Sequence, residues 1–180
     1  MMYITSPAKD KGTAFLMNDK EVWNWVPSIN RTVKMPPSMM MQSWMGTDLT
    51  NDDLVQQSSE VEDYDHQLLG KENIDGSTCY VVQLTPKPDA AVVWGKIIMW
   101  IDSEEFFRLR TEFYDDDEDL VNKMIASNVQ VMGGKTLPTR IEVIPMDKTG
   151  QKTVLEYQKL QFDIDIEESF FTPQQMKRLK

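Results

Sequence analysis

Cysteine is almost missing from this chain. Cys79 stands alone among 180 residues, so no internal disulfide can form and no thiolate cluster can hold a metal. Histidine is as scarce, with only His66. A hydrolytic triad needs its histidine oriented by a carboxylate beside an exposed nucleophile. Asp63 and Asp65 are close by, but no G-x-S-x-G elbow occurs, and His66 reads as a solvent-facing strand residue. No apolar run approaches the roughly 18 residues of a membrane-spanning helix, so the chain does not read as an integral membrane protein. Positive charge is short too: 19 Lys and Arg face 29 Asp and Glu, a formal net charge of −10. That balance argues against nucleic acid or an anionic membrane surface as a partner. There is no linker, low-complexity tract or solenoid-length repeat. One domain over residues 1–180 is the expectation.

What is present is a series of short β patterns. Residues 1–7 have neither a basic nor an apolar signal-peptide region and read as the tail of a strand entering a turn. From this comes the expectation that an upstream signal peptide and first strands are lacking. Residues 13–17, the Trp23/Trp25 segment and residues 31–35 follow at hairpin spacing, an antiparallel meander. Trp23 and Trp25 share one face and Val22 and Val26 the other, so that sheet is expected to be covered on both sides. Further strands are expected over 61–69, 78–84, 91–102, 106–114, 120–132, 137–144 and 152–162, with turns at Asp75-Gly76, Gly133-Gly134 and 147–150. In 78–84, Tyr80, Val82 and Leu84 are expected to share one side. In 106–114, Phe107, Leu109 and Phe113 alternate with Arg108, Arg110 and Glu112, the pattern of a half-buried strand with a charged outer row. Thr172-Pro173 opens a short C-terminal helix containing Met176. About nine strands with two small helical insertions suit a strongly curved antiparallel sheet or an incomplete barrel.

The stretch 21–55 breaks this rhythm. Pro36-Pro37 ends extended pairing. Ser38 is placed to cap a helix of residues 39–45, with Gly46 as its exit. That helix would be apolar nearly all round, hence a buried core helix or a lid over an apolar cavity. Thr50 begins a second short helix, with Asp53 completing a capping box and Leu54 and Val55 facing inward. Methionine is unbranched and polarisable, and a Met cluster adapts to irregular apolar shapes. The methionines therefore either fill a core gap or receive something apolar and variable in shape, such as an acyl chain. The second alternative gives the candidate ligand-binding residues Trp23, Trp25, Val33, Met35, Met39, Met40, Met41, Trp44, Met45 and Leu54.

Other chemistry finds little support. The run 115–119 is acidic, but its acids are contiguous and a calcium loop needs spaced ligands and a glycine; it reads as a hairpin tip. Gly134-Lys135-Thr136 resembles the end of a phosphate loop, but Val129 stands where the first glycine belongs and a strand follows. Cys79 reads as a core residue. No cofactor, metal or catalytic residue is expected.

The runs 21–27, 35–46 and 50–55, with 84–88, 93–96, 109–114 and 169–171, resemble bacterial outer-membrane lipoprotein-sorting proteins of the LolA-like superfamily. The resemblance implies a mainly β fold, a curved antiparallel sheet forming an unclosed β-barrel with short helices plugging the mouth. It also implies an apolar cavity for lipoprotein acyl chains or other lipids, a periplasmic address, and membrane-associated sorting partners. A lipid- or lipoprotein-sensing protein of the same fold, signalling to a membrane partner, is the second reading. An unrecognised hydrolase is a remote third.

Overall fold

A computed structural model describes residues 1–18, 21–40, 42–51, 53, 59–90 and 92–179. Eleven strands and two short α-helices form among them. The chain divides into two compact units. One comprises Met1–Ser43, Thr50–Val55 and Asp163–Lys180, the other Trp44–Leu49 and Gln56–Phe162.

The first unit holds a four-stranded antiparallel meander, β1 (Met2–Tyr3), β2 (Ala14–Asn18), β3 (Glu21–Val26) and β4 (Arg31–Lys34), in sequence order. Register places Ala14 opposite Trp25 and Leu16 opposite Trp23. Ala14, Leu16 and Trp25 bury against Met176 of the C-terminal helix, with Trp23 and Phe171 packed alongside. That helix spans Pro173–Met176 and is capped as its sequence predicts, the Thr172 hydroxyl accepting from the Gln175 N–H. Val22 on the opposite face of β3 is also buried, so apolar residues are buried on both faces of this strand.

The second unit is built on a seven-stranded antiparallel sheet in the order β11-β10-β9-β8-β7-β6-β5. Its strands are β5 (Tyr64–Ile74), β6 (Ser77–Pro86), β7 (Lys96–Asp102), β8 (Arg108–Tyr114), β9 (Leu120–Met132), β10 (Lys135–Pro145) and β11 (Thr153–Glu156). Each pairs with its neighbour in sequence, so this sheet too is a plain meander. On one face Tyr64, Leu84, Ile97, Met99 and Phe113 are buried together, with Val82, Trp94 and Met124 against them. On the other Cys79, Val81, Trp100 and Leu109 form a second cluster. Neither sheet closes on itself, so the unclosed antiparallel architecture is what forms.

Several elements differ from expectation. Residues 61–69 are not one strand: helix α1 (Ser59–Glu62) precedes β5. Residues 92–95 lie outside β7, which begins at Lys96, and residue 91 lies outside the described residues. Gly95 explains that boundary, because its backbone lies against Asp115 so closely that a Cβ would stand 2.5 Å from the Asp115 carbonyl oxygen. The last strand is shorter than 152–162, ending at Glu156. In β6, Val82 and Leu84 pack together as expected, and Cys79 and Val81 bury in the other cluster. The count of about nine was low: β1 falls on the strand tail read at residues 1–7, and β2 to β11 fall on the ten segments read as strands.

Candidate functional site

The stretch after β4 begins as an extension of the first sheet. The Met35 N–H donates to the Val22 carbonyl at 2.8 Å, which buries Met35. Among the described residues of 39–45 the expected α-helix is not formed. A single 3₁₀ turn covers Pro37–Met39, closed by Met39 N–H to the Pro36 carbonyl at 2.9 Å. A second turn follows, Gln42 N–H to the Met39 carbonyl at 3.1 Å. Asn51 explains why no helix propagates. Its Nδ2 donates to the Met39 carbonyl at 2.9 Å and the Gln42 carbonyl at 3.1 Å, and its N–H donates to the Gln42 carbonyl at 3.0 Å. Carbonyls that would accept within a helix are engaged from outside it. Asn51 is only 8% exposed, so these bonds form away from competing water.

The capping box at Thr50 does form. Its N–H donates to Asp53 Oδ2 at 2.7 Å and the Asp53 N–H to Thr50 Oγ1 at 3.1 Å. Leu54 and Val55, expected to face inward from the helix that Thr50 begins, lie outside the described residues, as does a further candidate site residue, Met41.

Residues 44–49 belong to the second unit and close a small loop, Trp44 N–H to the Leu49 carbonyl at 2.7 Å. Thr47 Oγ1 donates to the Trp44 carbonyl at 2.7 Å. Met45 has φ 51° and Gly46 φ 77°; the left-handed conformation suits the glycine and strains the methionine. Leu49 is buried, and Asp48 ties the loop to the sheet, its N–H donating to Thr153 Oγ1 at 2.9 Å and its carboxylate pairing with Lys148 at 3.2 Å.

The predicted site residues therefore separate. Trp25 is core beneath the C-terminal helix, and Trp23 is half-buried beside it. Lys34 and Lys177 lie over the two rings at 5.8 and 5.4 Å. Met35 is buried, Met40 and Trp44 are half-buried, and Val33, Met39 and Met45 are exposed.

The structure assembles a polar cluster that the strand pattern misassigned. Glu112 does not belong to a wet outer row: it is 5% exposed. The face it occupies also carries Trp100 and Leu109, so a side chain there is not delivered to solvent. Arg110 pairs with Glu112, Tyr114 Oη donates to it at 2.7 Å, and Lys123 lies at 3.6 Å. Arg110 stacks over Trp100 at 4.6 Å, whose Nε1 donates to Glu72 at 2.8 Å. Burial pushes the Glu112 carboxyl up, but the bonds from Tyr114 and Arg110 and the charges of Arg110 and Lys123 outweigh it and hold the carboxyl below its ordinary value. Burial and then Glu112 push the Tyr114 phenol up to about 12. A carboxylate satisfied in this way accepts hydrogen bonds but holds no proton to give near neutral pH. The signal was in the sequence, since Arg110, Glu112 and Tyr114 alternate on one strand face. Among the described residues no three His, Cys, Asp or Glu side chains are grouped to hold a metal. Cys79 is fully buried, and His66 is exposed on β5.

A family whose description reads "-like: Uncharacterized protein" has a profile that matches residues 1–178. The chain belongs to that family. No curated protein matches it. Among solved structures, a DUF1329 family protein from Desulfovibrio piger is 26% identical, with a TM-score of 0.86 over 97% of this chain and 75% of that one. A LolA superfamily protein from Nitrosomonas europaea is 28% identical, with a TM-score of 0.75 over 96% of this chain and 75% of the other. An outer membrane lipoprotein-sorting protein domain from Vibrio parahaemolyticus shares the fold, at 24% identity and a TM-score of 0.85 over 98% of this chain and 76% of that domain. The resemblance to the LolA-like superfamily, read from runs between residues 21 and 171, agrees with these likenesses.

Proposed function

We propose that this chain is a periplasmic, non-enzymatic binding protein that carries lipoprotein acyl chains or another lipid in outer-membrane lipoprotein sorting. The observation that supports this reading is the likeness to a LolA superfamily protein, at 28% identity and a TM-score of 0.75. Within the stretch 33–45, the exposed or half-buried Val33, Met39, Met40, Trp44 and Met45 are the proposed ligand contacts. Trp23, Trp25 and Met35 are proposed contacts as well. Thioethers adapt to a flexible hydrocarbon, and each buried methylene contributes about 0.8 kcal/mol. Met41 and Leu54 remain proposed contacts on the strength of the sequence pattern.

Two measurements on the same proteins test this. Mass spectrometry of the natively purified protein should find a co-purifying acyl lipid, and a fluorescent fatty-acyl probe should bind. Met40→Glu should weaken probe binding by about tenfold to a hundredfold with a small change in Tm. Trp25→Ala, in the core, should chiefly lower Tm. Absence of both lipid and probe binding in the unaltered protein would refute the carrier. Specific capture of a membrane protein by lipid-free protein would favour the sensing role instead.

A further inference from the structure

Strand β3 carries one residue that its ladder does not call for. On the face opposite Trp23 and Trp25 it shows Val22, Asn24 and Val26. Register sets Phe15 of β2 and Val33 of β4 on either side of Asn24, and Met17 beside Val22. Met35 flanks Val22 on its other side, its N–H donating to the Val22 carbonyl. All of these residues belong to the first unit, and around Asn24 the surface is apolar. Phe15, Val22 and Met35 are buried, whereas Val33 and Met17 are 42% and 43% exposed, so the surface reaches solvent on both flanking strands. Asparagine is disfavoured within strands, and this one is also unanswered: its Oδ1 is buried and accepts no hydrogen bond. A buried acceptor left unpaired costs its desolvation, and folded proteins leave few of them. Valine there would keep the ladder and avoid that cost.

We infer that Asn24 is a specificity-determining residue whose Oδ1 accepts a hydrogen bond from an N–H or O–H donor at the head of an acyl chain lying along Val33 and Met35. The inference rests on the binding reading above and names the class of ligand: an amide-linked or hydroxylated acyl group in preference to a plain one. Apolar binding surfaces owe their selectivity to a few polar groups set among apolar ones, and Asn24 stands in that position here. A ligand with a donor exchanges its bond to water for one to Oδ1. A ligand without one covers Asn24 and leaves the oxygen unpaired, so the selectivity works mainly by penalising the wrong ligand.

Matched pairs of ligands test this on the full chain. N-dodecanoylglycine offers an amide N–H, and N-dodecanoylsarcosine carries a methyl group in its place. Beta-hydroxydodecanoate offers a hydroxyl, and dodecanoate lacks it. Affinities are read from displacement of a fluorescent fatty-acyl probe. In the unaltered protein the donor-bearing member of at least one pair should bind about tenfold more tightly, and the pair that responds tells amide from hydroxyl. Asn24→Leu removes the acceptor and should bind the two members of that pair within about twofold of each other. The comparison of pairs in the unaltered protein needs no variant to fold. Binding of all these ligands without preference in either pair would overturn the inference and leave the binding reading standing. So would an Asn24→Leu protein that keeps the parent's preference. If neither the probe nor any of the ligands binds the unaltered protein, the binding reading itself fails and this inference falls with it.

Discussion

The seven-stranded sheet and the stretch from Met35 to Asn51 hold their shapes by different means. In the sheet, backbone ladders satisfy the polar main chain, and apolar side chains bury on both faces, around Phe113 on one and Trp100 on the other. In the stretch, turns and side chains take over: Asn51 serves the Met39 and Gln42 carbonyls, Thr50 and Asp53 satisfy each other, and Thr47 caps Trp44. The sheet has a core in which Leu84, Ile97 and Val143 are 2% exposed or less, although Leu68 and Leu69 of β5 and Val129 and Val131 of β9 are exposed, while the stretch leaves Met39 and Met45 more than a third exposed. Stability should therefore concentrate in the sheet, and tolerance of change in the stretch.

The sharpest way to break that contrast is at Gly95. A Cβ there would meet the Asp115 carbonyl oxygen at 2.5 Å, its carbon at 2.8 Å and Asp116 Cα at 2.9 Å. All three are backbone atoms, so no flexible side chain can yield. Gly95→Ala should cost about 3 kcal/mol, the largest effect foreseen, read as a lower urea midpoint with an unchanged slope. A loss under about 0.5 kcal/mol would mean that the β7 entry gives way easily, and the sheet would lose its claim to be the rigid region.

Next comes Glu112. Its folded-state pKa lies below the ordinary 4.5, the opposition of burial being outweighed by Tyr114, Arg110 and Lys123. Folded, it binds its proton less readily than unfolded. Its contribution is therefore present above about pH 4.5 and lost as the pH falls through the folded value. Tyr114 runs the other way. Raised from 10 to about 12, its contribution is present below pH 10 and lost as the pH rises from there towards 12. Glu112→Gln should cost about 2 kcal/mol at pH 7 and much less at pH 3, measured by urea unfolding of both proteins. A gap between variant and parent that stays constant with pH would show that the cluster is held by shape rather than charge.

How much of this was legible follows the same division. The β2–β3–β4 meander, the turns at Asp75-Gly76 and Gly133-Gly134, the acidic hairpin tip and the Thr172-Pro173 cap were readable, because each is a local signal answered by a local structure. The apolar positions of 39–45 also fit a helical period, but a helix needs its carbonyls for itself, and Asn51, ten or so residues on, engages two of them. Nothing within the stretch announces that competitor. The Glu112 error has a different origin. Strict alternation puts Leu109 with Phe113 and opposite Glu112, but the β7–β8 register shifts between Trp100 and Ile101, and Leu109 packs instead with Trp100, apart from Phe113. Of the candidate site, Met39 and Met45 were readable as unusual methionines. Their exposure was not, since it depends on the turn that replaced the helix.

The smallest predicted effect is the one that separates these two modes of construction most finely. Asn51→Ala removes two side-chain donors while its backbone N–H bond to Gln42 remains available. The freed carbonyls lie beside a half-exposed turn, so water can recover part of the loss. The expected cost is therefore only about 1 kcal/mol. Its local consequence should be larger: without the side-chain clamp the Met39 carbonyl loses its outside donor, and the Gln42 carbonyl keeps only the Asn51 backbone N–H. Hydrogen exchange should show faster exchange at the Gln42 and Asn51 amides while the β6–β8 amides keep their protection. If exchange instead accelerates equally across the sheet, the stretch and the sheet unfold as one cooperative unit, and the contrast between them describes bonding alone.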